Sequence, residues 1–176
     1  MVRLSFLSVW PYLTRLHNAA AAVGAMRHAV HMARDFSKKR SAFGSLISEY
    51  PLHIQTLARL ETETRAGWAL LLRTAELFGK YEVGKCEDSY LLMRSLTPLL
   101  KLYTGKQAVA VASEAMECFG GSGYIEESEM PVILRDAQVL PIWEGTSNIM
   151  SLDMLRSIAT SKGRGLQVIL DDIGLT

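Results

Sequence analysis

Glu144 stands between Trp143 and Gly145, just ahead of Thr146, Ser147 and Asn148, a run that suits a helix start. A carboxylate beside an indole in a partly dry loop has the surroundings of a general base. The same carboxylate also complements a helix N-terminus, and spacing alone leaves both roles open. Arg15 and Arg40 fall at the two ends of one helical stretch, about 37 Å apart at roughly 1.5 Å per residue. They cannot clasp one small anion, so they serve different ends of a long ligand or different ligands. Arg40 with Phe43-Gly44 offers a guanidinium beside a ring, suited to phosphate and base contact. It is equally a solvated charge at a helix C-terminus, where Arg34, Lys38 and Lys39 crowd with it. Gly120, Gly121 and Gly123 either bring backbone N–H groups to a pyrophosphate or simply stop a helix. They follow a helical pattern rather than a strand, so they form no Rossmann fingerprint. His28 and His31 share a helical face but lack a Cys or acidic partner, and no metal site is expected. No nucleophile motif surrounds any Ser or Cys.

The elements that must position these residues are helical. From residue 13 to 39 the chain is Ala-rich, with Leu16, Ala20, Val23 and Val30 near helical spacing. A second helix begins at Pro51, its stripe formed by Leu57, Leu60, Thr64, Trp68, Leu71, Ala75 and Phe78. Gly79 and Gly84 bracket a break, and Asp88 caps a third helix that Pro98 is expected to kink. Leu100, Tyr103, Ala108, Val111, Ala112, Ala115 and Phe119 continue that helix's buried face until the glycines stop it. A short piece follows from Met130 to Ala137. Thr146 or Ser147 then caps a last helix whose inward face is Ile149, Leu152, Leu155 and Ile158. With no period-2 strand of useful length and no internal repeat, the expected fold is all-α, an antiparallel up-down helix bundle in a single domain over residues 1–176.

Composition narrows the function classes. The 176 residues are 49% hydrophobic, enough for a core of their own. Nineteen Lys plus Arg against eighteen Asp plus Glu leave +1, which excludes a whole-chain basic footprint for nucleic acid. No apolar run approaches the roughly 18 residues of a membrane span. Cys86 and Cys118 form no C-x-x-C motif and are read as buried thiols in a reducing compartment. The first thirty residues carry Arg3, Arg15 and Arg27 and no acid, like a transit peptide, a reading that weakens if Arg15 serves the domain.

The stretch CFGGSGYIEESEMPVILRDAQVLPIWEGTSNIMSLDMLRS resembles the C-terminal signature of the acyl-CoA dehydrogenases. That family carries a G-G-x-G-Y turn, an R-D-A segment and I-[YW]-E-G-T-S, while Arg40-Ser41-Ala42-Phe43-Gly44 is similar to its R-x-x-F-G. The motifs occur in the family's order and cover nearly the whole chain. The resemblance implies a C-terminal α-bundle of a larger flavoprotein, whose N-terminal helical and middle β domains are absent here. It implies Glu144 as the base removing the α-proton of an acyl-CoA thioester, with FAD taking the β-hydride. Arg15, Gly145 and Arg156 then match substrate-side positions. Thr146, Ser147 and Asn148 match flavin contacts, as do Arg40, Ser41, Ala42, Phe43, Glu117, Gly120 and Gly121, some of them toward a neighbouring subunit's FAD.

Further implications are an electron-acceptor protein, a homo-oligomer (dimer or tetramer), and a place in fatty acid or amino acid catabolism. The location implied is intracellular, mitochondrial in a eukaryote, and the chain alone is expected to be inactive. Tyr12 replaces an Asp, and Pro51 a Gln, that many members carry. E-E-S-x-x-P and N-I-M-S-L-D-M-L-R are closest in pattern to the AidB-like adaptive-response branch, some members of which are associated with DNA protection. A DNA-binding flavoprotein is therefore one alternative, though the acidic tail LQVILDDIGLT does not favour it. A non-catalytic helical assembly module is another.

Overall fold

The computed structural model describes residues 6–84 and 86–174, with side chains from residue 10 onward. Arg3, one of the transit-like arginines, lies outside the described residues. Six α-helices form among those described: α1 (Phe6–Ser37), α2 (Pro51–Gly84), α3 (Glu87–Glu117), α4 (Met130–Val139), α5 (Ser147–Thr160) and α6 (Arg164–Asp172). A two-residue hairpin, β1 (Ser41–Ala42) against β2 (Ser45–Leu46), joins α1 to α2. The antiparallel bundle expected from the spacing is formed by α1, α2 and α3, and α3 touches each of the other five helices.

Small residues let the long helices approach closely. Ala19, Ala22, Ala29 and Ala33 of α1 and Ala108, Ala112 and Ala115 of α3 are all fully buried, filled out by Met26, Val30, Leu100 and Val111. A second cluster of Tyr12, Leu77, Leu92, Met93 and Leu96 meets Val168 and Ile169 of α6, a helix the sequence reading did not anticipate.

Several boundaries differ from expectation. α1 starts at Phe6 rather than near residue 13 and contains Pro11; one missing donor does not end a helix whose next turn buries Tyr12 and Leu16. α2 runs through Gly79, because a single helical glycine costs about 1 kcal/mol and the flanking Leu77 and Tyr81 are buried. Likewise α3 continues through the buried Pro98. Its N-cap is Cys86; Asp88 lies in the first turn and accepts from Arg164 at 3.0 Å. Cys86 is exposed rather than buried, its thiol drawn below the usual range by hydrogen bonding with Ser89, and Cys118 is half-buried.

The largest difference concerns α5. Ile149, Leu152 and Leu155, expected inward, are 50%, 57% and 61% exposed, while Met150, Asp153 and Ser157 are buried. Asp153 turns inward because two arginines meet it there, which leaves the apolar stripe outside. In α2, Trp68 and Ala75 of the expected inward stripe are likewise exposed, and Gly67 and Thr74 pack instead, beside Leu60, Thr64 and Leu71 as expected.

After α3 the chain reverses through a 3-10 turn, Gly120–Tyr124. A Cβ on Gly123 would stand 2.2 Å from the Met116 carbonyl oxygen, a backbone atom that cannot move aside cheaply. Gly123→Ala is expected to destabilise the chain by about 1–3 kcal/mol, the usual effect of overpacking. A thermal melt lowered by several degrees would register it, and an unchanged melt would contradict it.

Candidate active site

The turn between α4 and α5 holds Glu144 in the left-handed region at φ 60°, followed by Gly145 at φ 109°. Consecutive positive φ angles persist only where neighbours over-determine them. Three elements supply those neighbours. From α1, Asn18 Nδ2 donates to the Leu140 carbonyl at 3.0 Å, and Arg15 Nε donates to the Glu144 carbonyl at 3.4 Å. From α3, the Lys101 ammonium donates to the Gly145 carbonyl. On α5, Thr146 occupies the N-cap without a side-chain capping bond, and its carbonyl accepts from Met150 N at 2.9 Å. Gly145 fits closely, since a Cβ there would lie 2.5 Å from Met150 Cε.

The Glu144 carboxylate is half-buried and accepts from Thr14 Oγ1 at 3.0 Å. Beneath it runs a buried ionic layer. Asp153 accepts from Arg15 on one oxygen and Arg94 on the other, both at 2.6 Å. Burial pushes the Asp153 carboxyl up, but hydrogen bonds from Arg94 and Arg15 outweigh it and hold the group below its ordinary value. Arg94 lies 5.6 Å above the Tyr12 ring, and burial raises the Tyr12 hydroxyl. The exposed Arg156 reaches Asp153 only at 3.8 Å. Arg15, Glu144 and Gly145 are thus brought together as the sequence suggested, with Thr146, Ser147 and Asn148 following directly.

Thr14, Arg94, Lys101 and Asp153 belong to this cluster and went unrecognised. A signal existed for Lys101, which stands on the same stripe as Ala108, Val111 and Ala115, at steps of seven, three and four, where a charge is out of place. Trp143 is half-exposed.

The other expected residues gather at the far end of α1. Arg40 N–H donates to Phe36 at 2.9 Å as the helix ends, and the hairpin turns at Phe43 (φ 52°) and Gly44 (φ 96°). Tyr50 fixes that turn, its hydroxyl donating to the Ala42 carbonyl at 2.8 Å. Phe36 stacks on Phe119 with centroids 4.4 Å apart, tying the hairpin end of α1 to the Gly120–Tyr124 turn. Between them opens a pocket of about 760 Å3 lined by Arg40, Ala42, Phe43, His53, Glu117, Gly120 and Gly121, among others. Ser41 is exposed on β1 and does not line it. His53 was not anticipated; burial lowers its imidazole below the usual range, and its Nε2 is buried with no partner. α3 ends at Glu117, and Gly120 and Gly121 of the turn that follows also wall the pocket.

Among the described residues no group of three His, Cys, Asp or Glu is placed to hold a metal, and no helix is long and apolar enough to cross a membrane.

The family described as acyl-CoA dehydrogenase, C-terminal domain, matches residues 12–159. The chain is 53% identical over 145 residues to acyl-CoA dehydrogenase family member 11 of Caenorhabditis elegans, covering 82% of this chain and 24% of that protein. It is 35% identical over 151 residues to AidB of Escherichia coli K12, covering 86% and 27%. The AidB-like pattern read from the sequence is therefore present, at lower identity than the likeness to the worm protein. The crystal structure of Caenorhabditis elegans ACDH-11 in complex with C11-CoA superposes with a TM-score of 0.82 at 51% identity, over 84% of this chain and 25% of that one. The chain spans about a quarter of the length of these curated relatives.

Proposed function

Since this chain belongs to the acyl-CoA dehydrogenase family, matching its C-terminal domain, we propose that it contributes the catalytic base and part of the cofactor site of an FAD-dependent acyl-CoA dehydrogenase. The observation that carries this reading is the Glu144 carboxylate, presented on a left-handed turn, hydrogen-bonded by Thr14 and flanked by Arg15. In that role Glu144 accepts the α-proton of the thioester substrate. Thr14 fixes which carboxylate oxygen is committed to the protein, leaving the other for the proton. Arg15 keeps the turn's backbone in place while its own head is anchored by Asp153. Gly145 and Arg156 face the substrate, and Thr146, Ser147 and Asn148 the flavin.

The pocket at the hairpin end fits the phosphate and adenosine portion of a dinucleotide. It offers the Arg40 guanidinium, glycines without side chains to block backbone N–H groups, and beside them a buried imidazole nitrogen that lacks a partner. Arg40, Ala42, Phe43, Glu117, Gly120 and Gly121 would hold it, with Ser41 adjacent. FAD, when bound, supplies the hydride acceptor that no side chain here can replace. Because this pocket and Glu144 lie at opposite ends of α1, the two belong to different flavins in a homo-oligomer. The exposed α5 stripe supports such an assembly. An electron-transfer protein as acceptor completes the proposal.

Anaerobic mixing of the complete flavoprotein that carries this domain, loaded with flavin, with acyl-CoA thioesters of graded chain length tests the reading. At least one is expected to bleach the flavin within the mixing experiment. Bleaching by none, together with retention of duplex DNA, would overturn it in favour of an AidB-like role.

A further inference from the structure

Lys101 is fully buried in the middle of α3. An ammonium out of water costs several kcal/mol unless a partner compensates, and lysines are almost never fully buried unpaired. The usual compensation is a carboxylate, yet Lys101 donates to a main-chain carbonyl, that of Gly145. A merely structural role at a fully buried helix position would be served better by Leu or Met, which carry no charge to desolvate. What the ammonium touches is the second of two consecutive left-handed residues, directly after Glu144.

We propose that Lys101 is the positioning residue of the Glu144 base: by tying down the Gly145 carbonyl it locks the left-handed pair and sets the direction in which the Glu144 carboxylate points. The inference rests on the reading of Glu144 as base. Arg15 fastens the first carbonyl of the pair and Lys101 the second, so the turn is held from α1 and α3 at once. Without Lys101, Gly145 is free to rotate and Glu144 turns with it.

The charged groups acting on Lys101 are Arg15 from α1 and Glu144 from the turn; Asp153 of α5 binds that same Arg15 and, on its other oxygen, Arg94 of α3. Burial, then Arg15, push its ammonium down to about 8, while Glu144 pulls the other way. Loss of that proton weakens the donor, so positioning by Lys101 fades on the alkaline side of pH 8.

Two variants and one titration decide the matter. In the flavin-loaded protein, Lys101→Met is expected to slow single-turnover flavin reduction by about tenfold to a hundredfold, the usual consequence of misplacing a reacting group. Acyl-CoA affinity should stay unchanged, and the wild-type decline in rate above pH 8 should be absent. Wild-type rate and pH profile in Lys101→Met would overturn the inference. Glu144→Gln separates this failure from that of the underlying reading: a slow Glu144→Gln beside a fast Lys101→Met sinks only the role of Lys101, whereas a fast Glu144→Gln sinks both. Should Lys101→Met not fold, the Lys101 side-chain carbon resonance is titrated in this chain instead. Its midpoint is expected to fall in Glu144→Gln, and an unmoved midpoint would overturn the coupling.

Discussion

Glu144→Gln in the flavin-loaded protein is expected to slow flavin reduction by acyl-CoA by about 10²–10⁴, the range a positioned general base contributes. Glutamine keeps the size and can still accept from Thr14 Oγ1, which now bonds the carboxylate at 3.0 Å. The turn should therefore survive, held as it is through the Glu144 and Gly145 carbonyls rather than through the side chain. Substrate affinity and the thermal melt are accordingly expected to stay close to wild type while the reduction step collapses. Rapid-mixing spectroscopy reads that step directly. Reduction at the wild-type rate would show that another group takes the proton.

Asp153→Ala is expected to carry the largest stability loss, about 3–5 kcal/mol, because it strands two guanidiniums in a layer with little access to water. Arg15 and Arg94 each donate to a separate oxygen of Asp153 at 2.6 Å, and all three side chains are largely buried. The deficit is read as a lower urea midpoint. It depends on pH with a definite sign. Arg94 and Arg15 hold the folded carboxyl below the ordinary 3.8, so its stabilisation is fully present above that value and drains away as pH falls through the folded one. The gap between wild type and Asp153→Ala should narrow in acid, and a gap that stays constant down to strongly acid pH would contradict the ionic account.

The three long helices were legible because their apolar spacing and Ala content answer to local rules, and those rules agree with the packing of α1 against α3. Gly79 misled because its local preference of about 1 kcal/mol is overridden by the buried Leu77 and Tyr81 on either side. The face of α5 was unreadable locally. Its stripe of Ile149, Leu152 and Leu155 has the spacing of a core, and only the arrival of Arg15 and Arg94 from two other helices turns Asp153 inward instead. In the candidate site, Glu144 and Gly145 stood out through one contiguous motif and Arg15 through its distance from Arg40. Arg94, Lys101 and Asp153 act across sequence separations of 44 residues or more, where no spacing rule connects them. Thr14 was adjacent to Arg15 but reaches Glu144 only through the fold.

The backbone of Glu144 also bears on how this chain evolves. Glycine adopts φ 60° without the steric cost, on the order of 1 kcal/mol, that a side chain incurs there. Drift under selection for robustness alone would favour glycine at position 144, beside the one already at 145. In the role proposed for it, the Glu144 carboxylate is kept only by selection acting against that standing thermodynamic bias. Where that selection lapses, in a duplicated copy freed from turnover, position 144 is among the first expected to decay, and toward Gly, Asn or Asp rather than toward the β-branched residues the left-handed turn rejects.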